Sequence, residues 1–263
     1  VVFLCYILSA FLARPAWAEV AREIVRPSFS LDSGYLFMVV ALIGTTITPF
    51  MQIFVQSSVV EKGVTKEDYP LIRADVWVGT VFSVIIAFFI VVSTAATLGV
   101  RGIHVETAAD AALALTPVAG TYATLLFAVG LVGAAMLAMG VLPLATAYSI
   151  SEALGFEKGV SRSFREAPIF LGIFTSLIVF GALVAMIPGL PQIRLLLFTQ
   201  CINGLLLPVI LVAILRLVNN RELMGAYVNG PLYNVAAWLI AMIVSALSLL
   251  LIAETLFPGI FHG

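Results

Sequence analysis

Charge is what this chain has least of. Only 10% of its 263 residues are Asp, Glu, Lys or Arg, against about 25% in a soluble domain. That excludes an ordinary soluble fold. Net charge is −1, and the 13 basic residues form no stripe, so nucleic acid is excluded as a partner. Cysteine is scarce too. Cys5 and Cys201 both lie in apolar runs and read as small buried hydrophobes, not as a disulfide or metal pair. There are two histidines. No Ser-His-Asp set, no His-Glu-x-x-His and no phosphate loop is found, so no enzyme reading has support. Low-complexity linkers and a second domain are absent as well.

What is present is apolar length. Hydrophobic residues make up 62% of the chain, and mean hydropathy is +1.15. Charges bracket runs at residues 1–13, 34–60, 76–100, 122–150, 167–189, 195–215 and 233–253. The first is partial. Each of the others is long enough to cross about 30 Å of hydrocarbon at about 1.5 Å per residue. The expectation is an all-α polytopic protein, integral to a bilayer and multi-pass, with residues 1–263 as a single transmembrane domain. Small residues scattered over 130–140 suit close helix packing. Ala16-Trp17-Ala18 resembles a signal-peptidase site, but the chain has neither an initiating Met nor a basic stretch ahead of its apolar core. It starts inside a helix, so a fragment is expected. Basic residues distribute eight to five between alternate loops. Lys62, Lys66, Arg73, Lys158, Arg162, Arg165, Arg216 and Arg221 stand against Arg14, Arg22, Arg26, Arg101 and Arg194. The bias favours the first set as cytoplasmic.

One run is unusual. Residues 43–58, IGTTITPFMQIFVQSS, hold three threonines, a proline, two glutamines and two serines inside the second span. That span would be about 40 Å long as a straight helix, more than one crossing needs. Pro49 brings no backbone donor and crowds the carbonyl four residues before it. A broken helix at membrane depth occurs where backbone lines a cavity or a site buried in protein. A plain proline kink, stabilised by threonines, is the competing reading.

GTTITPFMQIFVQSSVVEKG, preceded by ARPAWAEVAREIVRPS and followed by FTQCINGLLLPVILVAILRLVNNRELMG, resembles the Nramp family of divalent-metal transporters. The likeness covers nearly the whole chain. It implies an inverted-repeat (LeuT-type) fold of which this chain holds helices five to eleven: the second repeat plus one extra helix, with the first four helices missing. It also implies residence in a bacterial plasma membrane. The family's sixth helix carries Met-Pro-His at its unwound centre. Here the triplet is Thr48-Pro49-Phe50, so a hydroxyl replaces the thioether and a phenyl ring the imidazole. Because Pro49 to Ser57 is one residue longer than usual, Met51 is an alternative occupant of the histidine's place. The family's backbone carbonyl ligand falls on Thr45 and its tenth-helix glutamine on Gln200. Gln52 and Gln56 are polar groups this version adds.

These departures carry chemistry. Thioether ligands favour soft metals, whereas carbonyl, hydroxyl and amide oxygens suit Mg²⁺ and Mn²⁺. Mg²⁺ also keeps several of its waters. A site of Thr45 carbonyl, Thr48, Gln52 and Gln200 fits a partly hydrated hard cation, carried as cargo, with no cofactor. Loss of the histidine removes a group that titrates near neutral pH. The sequence is therefore most similar to the Nramp-related magnesium branch, which lacks proton coupling. No Asp or Glu falls inside the expected spans, yet a divalent ion at the midplane needs negative charge. In the family an Asp-Pro-Gly-Asn-like motif on helix one supplies it, so the missing helices are expected partners of a complete site.

Other polar groups rank lower. His104, Glu106 and Asp110 form a loop cluster that suits either a vestibule or plain solvation. Ser93, Thr94 and Thr97 suit local hydrogen bonding. Asn203 stands one turn beyond Gln200. Thr146 and Tyr148 lie near Pro143, Asp75 opens its span, and Arg194 and Arg216 read as interface anchors. Two other functions stay open. An amino-acid or amine permease of the same fold would break this helix too, but with glycines where Thr-Pro stands here. A non-transporting truncated scaffold leaves Thr48, Gln52 and Gln200 unexplained.

Overall fold

Apolar runs bounded by Pro, Gly and capping side chains become helices. The computed structural model describes residues 2–257. In chain order the helices are α1 (Val2–Leu12), α2 (Trp17–Val25), α3 (Ser33–Thr46), α4 (Pro49–Glu61), α5 (Tyr69–Thr97), the short α6 (Ala108–Ala112) and α7 (Thr116–Ala119), α8 (Ala123–Leu154), α9 (Pro168–Ala185), α10 (Gln192–Val218), the single turn α11 (Arg221–Met224) and α12 (Pro231–Leu256). Among the described residues, six stretches are long and apolar enough to cross a membrane: Ser33–Glu61, Lys66–Arg101, Ala108–Leu154, Pro168–Ala185, Gln192–Val218 and Pro231–Leu256. The protein is all-α and integral to the membrane. At 11 residues, α1 reaches only about 16 Å. Together with α2, which leaves it at 114°, it passes as a seventh.

Local rules explain the ends. Asp32 caps α3 by accepting from the N–H groups of Gly34 at 3.0 Å and Tyr35 at 3.3 Å. Pro168 and Pro231 open α9 and α12, where a missing N–H costs nothing. Gly155, at φ 72°, stops α8, a left-handed conformation that favours glycine. Asp110 is spent as a cap: its carboxylate accepts from the N–H and the hydroxyl of Thr107, both at 2.8 Å.

The described helices fall into two compact units. The first takes the residues up to Ser28 and Phe54–Ile193. In it α1 packs along α5 and α8 along α9. One cluster gathers Tyr6, Leu98, Ala114, Leu115 and Ala123. Another gathers Ala147, Tyr148, Ala167 and Phe170, with the rings of Tyr148 and Phe170 edge-on at 4.8 Å. A buried carbonyl shows how an irregular segment is tolerated there. Ala114 lies in the 3-10 turn Leu113–Leu115, outside the α ladder. Ser9 of α1 donates its hydroxyl to the Ala114 oxygen at 2.6 Å, and Ser93 of α5 donates to the same oxygen at 3.1 Å. Both serines are fully buried. Lipid offers a freed carbonyl no donor, so neighbouring helices must.

The second unit holds Phe29–Ile53 and the described residues from Arg194 on. Its helices are α3, α10 and α12 around Leu36, Val40, Ala41, Cys201 and Leu251. Asn219, in the last turn after α10, donates to the Asn234 side chain of α12 at 2.7 Å. One expectation is corrected here: carboxylates do lie inside these helices. Glu254 is only 5% exposed and belongs to α12, which runs beyond the expected end at 253 to Leu256. Likewise α8 continues through Glu152 and α4 ends on Glu61. Hydropathy stops at a charge, but the backbone ladder does not.

Candidate metal site

Thr45 and Thr48 stand at the junction of α3 and α4. There the ladder is interrupted. α3 ends at Thr46, Ile47 leaves helical geometry at φ −121° and ψ 75°, and α4 restarts at Pro49. The Ile47 N–H still donates to the Ile43 carbonyl at 2.9 Å. The Thr46 hydroxyl turns back to the Leu42 carbonyl at 2.7 Å. Pro49 has no N–H to offer the Thr45 carbonyl four residues earlier. Thr45 therefore keeps an acceptor that the helix does not use. Thr48 is half-buried between the two helices, and Pro49 is buried. The carbonyl end of α3 also carries the negative end of its dipole, which favours a cation.

Gln200 comes from α10, and glycine sets its distance from α3. A Cβ on Gly44 would overlap the backbone of Gln200 and Gly204, and a Cβ on Gly204 would overlap the backbone of Val40. The two helices thus touch backbone to backbone at the residue before Thr45. Small residues permit that approach in membranes. The hydroxyl of Ser248, on α12, donates to the Gly204 carbonyl at 3.3 Å and adds a third helix to the crossing. Asn203 does share the Gln200 face: its amide donates to Gln200 Oε1 at 3.0 Å. That oxygen keeps a second lone pair. Gln52 lies one turn into α4 and is exposed. Among the described residues no hydrogen bond joins Thr45, Thr48 or Gln52 to Gln200, and no three His, Cys, Asp or Glu side chains gather.

A second polar cluster, in the first unit, was not foreseen. Ser57, on α4, donates to Glu152 of α8 at 2.7 Å, and Lys158 pairs with the same carboxylate oxygen. Glu61 Oε1 accepts the Val160 N–H at 3.0 Å, and the Tyr148 hydroxyl oxygen accepts from the same N–H at 3.2 Å. Loop 155–162 is thereby fastened to α4 and α8. A cavity of about 740 Å³ lies among these residues. Its wall carries Glu61 and Glu152 against Lys158 and Arg162, a formal balance of zero that gives it no preference for a cation. Near Pro143, Tyr148 packs against Phe54 and Phe170, and the Thr146 hydroxyl donates to the Leu142 carbonyl of its own helix.

Beyond this loop, Glu166 accepts the N–H of Ser163 at 2.7 Å and its hydroxyl at 2.9 Å. These bonds, the backbone one foremost, hold its carboxyl below the usual glutamate range, and the nearby Arg162 adds to the effect.

Comparison with known proteins bears on the whole chain. The sequence model of a family described as "Natural resistance-associated macrophage protein-like" matches residues 1–254. The divalent metal cation transporter MntH of Ralstonia nicotianae is 29% identical over 276 residues, covering 96% of this chain and 58% of that protein. The proteins of the same name from Clostridium acetobutylicum and Deinococcus radiodurans are 24% and 28% identical, covering 97% and 95% of this chain. The chain spans 56–58% of the length of these three relatives.

Proposed function

This chain belongs to the natural resistance-associated macrophage protein-like (Nramp) family, and on that premise we propose that it forms part of a secondary importer of divalent metal cations. The relatives' printed names support a divalent cation as cargo. The finer reading is a hard ion, Mg²⁺ or Mn²⁺, held at a midplane site reached alternately from either side. Its ligands are the Thr45 carbonyl, the Thr48 hydroxyl, Gln200 and, through water, Gln52.

The observation that carries this reading is the interruption at Ile47–Thr48. Pro49 frees the Thr45 carbonyl beside the helix that brings Gln200, at the cation-favouring end of α3. All of these groups are oxygens. Oxygen donors suit hard ions, and a thioether in place of Thr48 would shift the balance towards soft ones. An ion that keeps several waters needs such acceptors at hydrogen-bond range as well as at coordination range.

The test is competitive uptake of Mg²⁺, Mn²⁺ and Cd²⁺ into proteoliposomes by the transporter containing these residues. Thr48→Met should raise the Cd²⁺ to Mg²⁺ ratio roughly tenfold, since one exchanged ligand contributes about 1.4 kcal/mol. Gln200→Ala should weaken all three ions, because it removes an oxygen and adds no soft donor. An unchanged ratio in Thr48→Met, with transport intact, would remove Thr48 from the site. No uptake of any divalent ion by the wild type would remove the reading itself.

A further inference from the structure

The turn between α1 and α2 leaves three charged side chains at the mouth of an apolar groove. α2 departs at 114° and sets Val20 and Ile24 opposite Phe88, Val91 and Ala95 of α5, enclosing about 940 Å³. Arg14, Glu19 and Glu23 are the charged residues of the lining. Arg14 is the single non-glycine residue with positive φ among the described residues, at 50°, a conformation disfavoured for side chains of its kind. α2 is amphipathic: Trp17, Val20, Ala21 and Ile24 recur at helical spacing, with Glu19, Arg22 and Glu23 between them, as in helices that lie in a membrane interface.

The charges are not used up internally. Among the described residues Arg14 and Glu19 make no ion pair or side-chain hydrogen bond, although the two glutamates and the arginine share one groove. Glu23 accepts from Ser28 through one oxygen only. An apolar slot at the end of a membrane-spanning helix, with one cation and two carboxylates at its mouth, matches an amphiphile whose head carries both signs and whose amine still bears hydrogens.

We propose that this groove binds an aminophospholipid of the phosphatidylethanolamine class. An acyl chain lies along Phe88, Val91 and Ala95, held by van der Waals packing, since in lipid it leaves no water behind. The guanidinium of Arg14 holds the phosphate by paired N–H bonds. Glu19 and the free oxygen of Glu23 accept from the ammonium group. A choline head has no N–H to give. A purely anionic head would face two carboxylates against one arginine.

The test is native mass spectrometry of the purified chain in detergent. It is given equal mixtures of phosphatidylethanolamine, phosphatidylcholine and phosphatidylglycerol with the same acyl chains. Two exposed charge pairs support an enrichment of phosphatidylethanolamine of about fivefold over either competitor. Glu19→Gln with Glu23→Gln should abolish the preference over phosphatidylcholine. Arg14→Gln should lower retention of all three, and Glu157→Gln, elsewhere on the unit, should change nothing. Equal retention of the three lipids by the wild type, enrichment of phosphatidylglycerol, or a preference that survives the double variant would overturn the proposal. Far-UV circular dichroism checks that the variants stay helical. If the double variant loses helicity, Glu19→Gln alone, read against the wild type, decides.

Discussion

Gly44 and Gly204 meet where no side chain fits. Each would push a Cβ into backbone, not into a yielding side chain, so neither neighbour can rotate away. Gly44→Ala or Gly204→Ala must separate α3 from α10 and should cost about 1–3 kcal/mol, the usual range for overpacking. Gly140→Ala is the control. It has open space within 4 Å and should be neutral or slightly stabilising, since alanine is the better helix former. Unfolding in a mild detergent, followed by ellipticity, separates the two outcomes. A neutral Gly44→Ala would mean that α3 and α10 do not meet backbone to backbone here. Gln200 belongs to the same contact, so the glycine variants should also impair divalent uptake while leaving the chemistry of its ligands untouched.

At the level of elements, two irregular segments depend on hydrogen bonds brought from elsewhere. The Ala114 carbonyl receives Ser9 from α1 and Ser93 from α5. Ser9→Ala or Ser93→Ala alone leaves it one donor, and each should cost about 0.5–1.5 kcal/mol. Removing both leaves a buried carbonyl unsatisfied, which adds about 1–3 kcal/mol. The double variant should therefore lose more than the sum of the singles, a sign that a double-mutant cycle reads directly. Strict additivity would mean that the two serines do not share this acceptor. The segment leading into α9 depends on Glu166 instead. Its folded pKa lies below its ordinary value of 4.5. The stabilisation is then fully present above that value and is lost as pH falls through the lower, folded one. Amide exchange at Ser163 should stay protected from neutral pH down to the carboxylate range and speed up below it, beyond the intrinsic pH trend. Glu166→Gln should flatten that dependence. Identical profiles for the two proteins would show that the carboxylate does not hold the turn.

For the molecule as a whole, the proposed import raises the question of what drives it. The residue after the helix-breaking proline is Phe50, where the family resemblance implies a histidine. Histidine is the side chain whose ordinary pKa lies near neutrality, and a phenyl ring carries no proton. Metal uptake into proteoliposomes by the transporter containing these residues should therefore leave luminal pH unchanged. A trapped pH dye that reports metal-dependent acidification would assign proton movement to another group. Glu254, buried in α12, would be the first carboxylate to replace.

Much of this was written along the chain. Apolar length set the rough position of the long helices, because a bilayer demands about 20 apolar residues per crossing. The interruption at Ile47–Thr48 was legible in Pro49 and its threonines, since a proline acts on its own backbone and on the carbonyl one turn earlier. Asn203 beside Gln200 followed from three-residue spacing on one helix. These are local relations, decided within a turn or two. The rest was decided by packing. Nothing near Gly44 names Gly204 as its partner, and nothing near Ala114 names Ser9, 105 residues away. The pairing of Ser57 with Glu152 and the burial of Glu254 likewise depend on which helix lies alongside which. In lipid, every freed backbone group and every buried charge must find its partner within the protein. The sequence by itself determined where the ladders break and which groups are set free. Only the tertiary structure decided what meets them, because a hydrogen bond between helices depends on a crossing that no single helix contains.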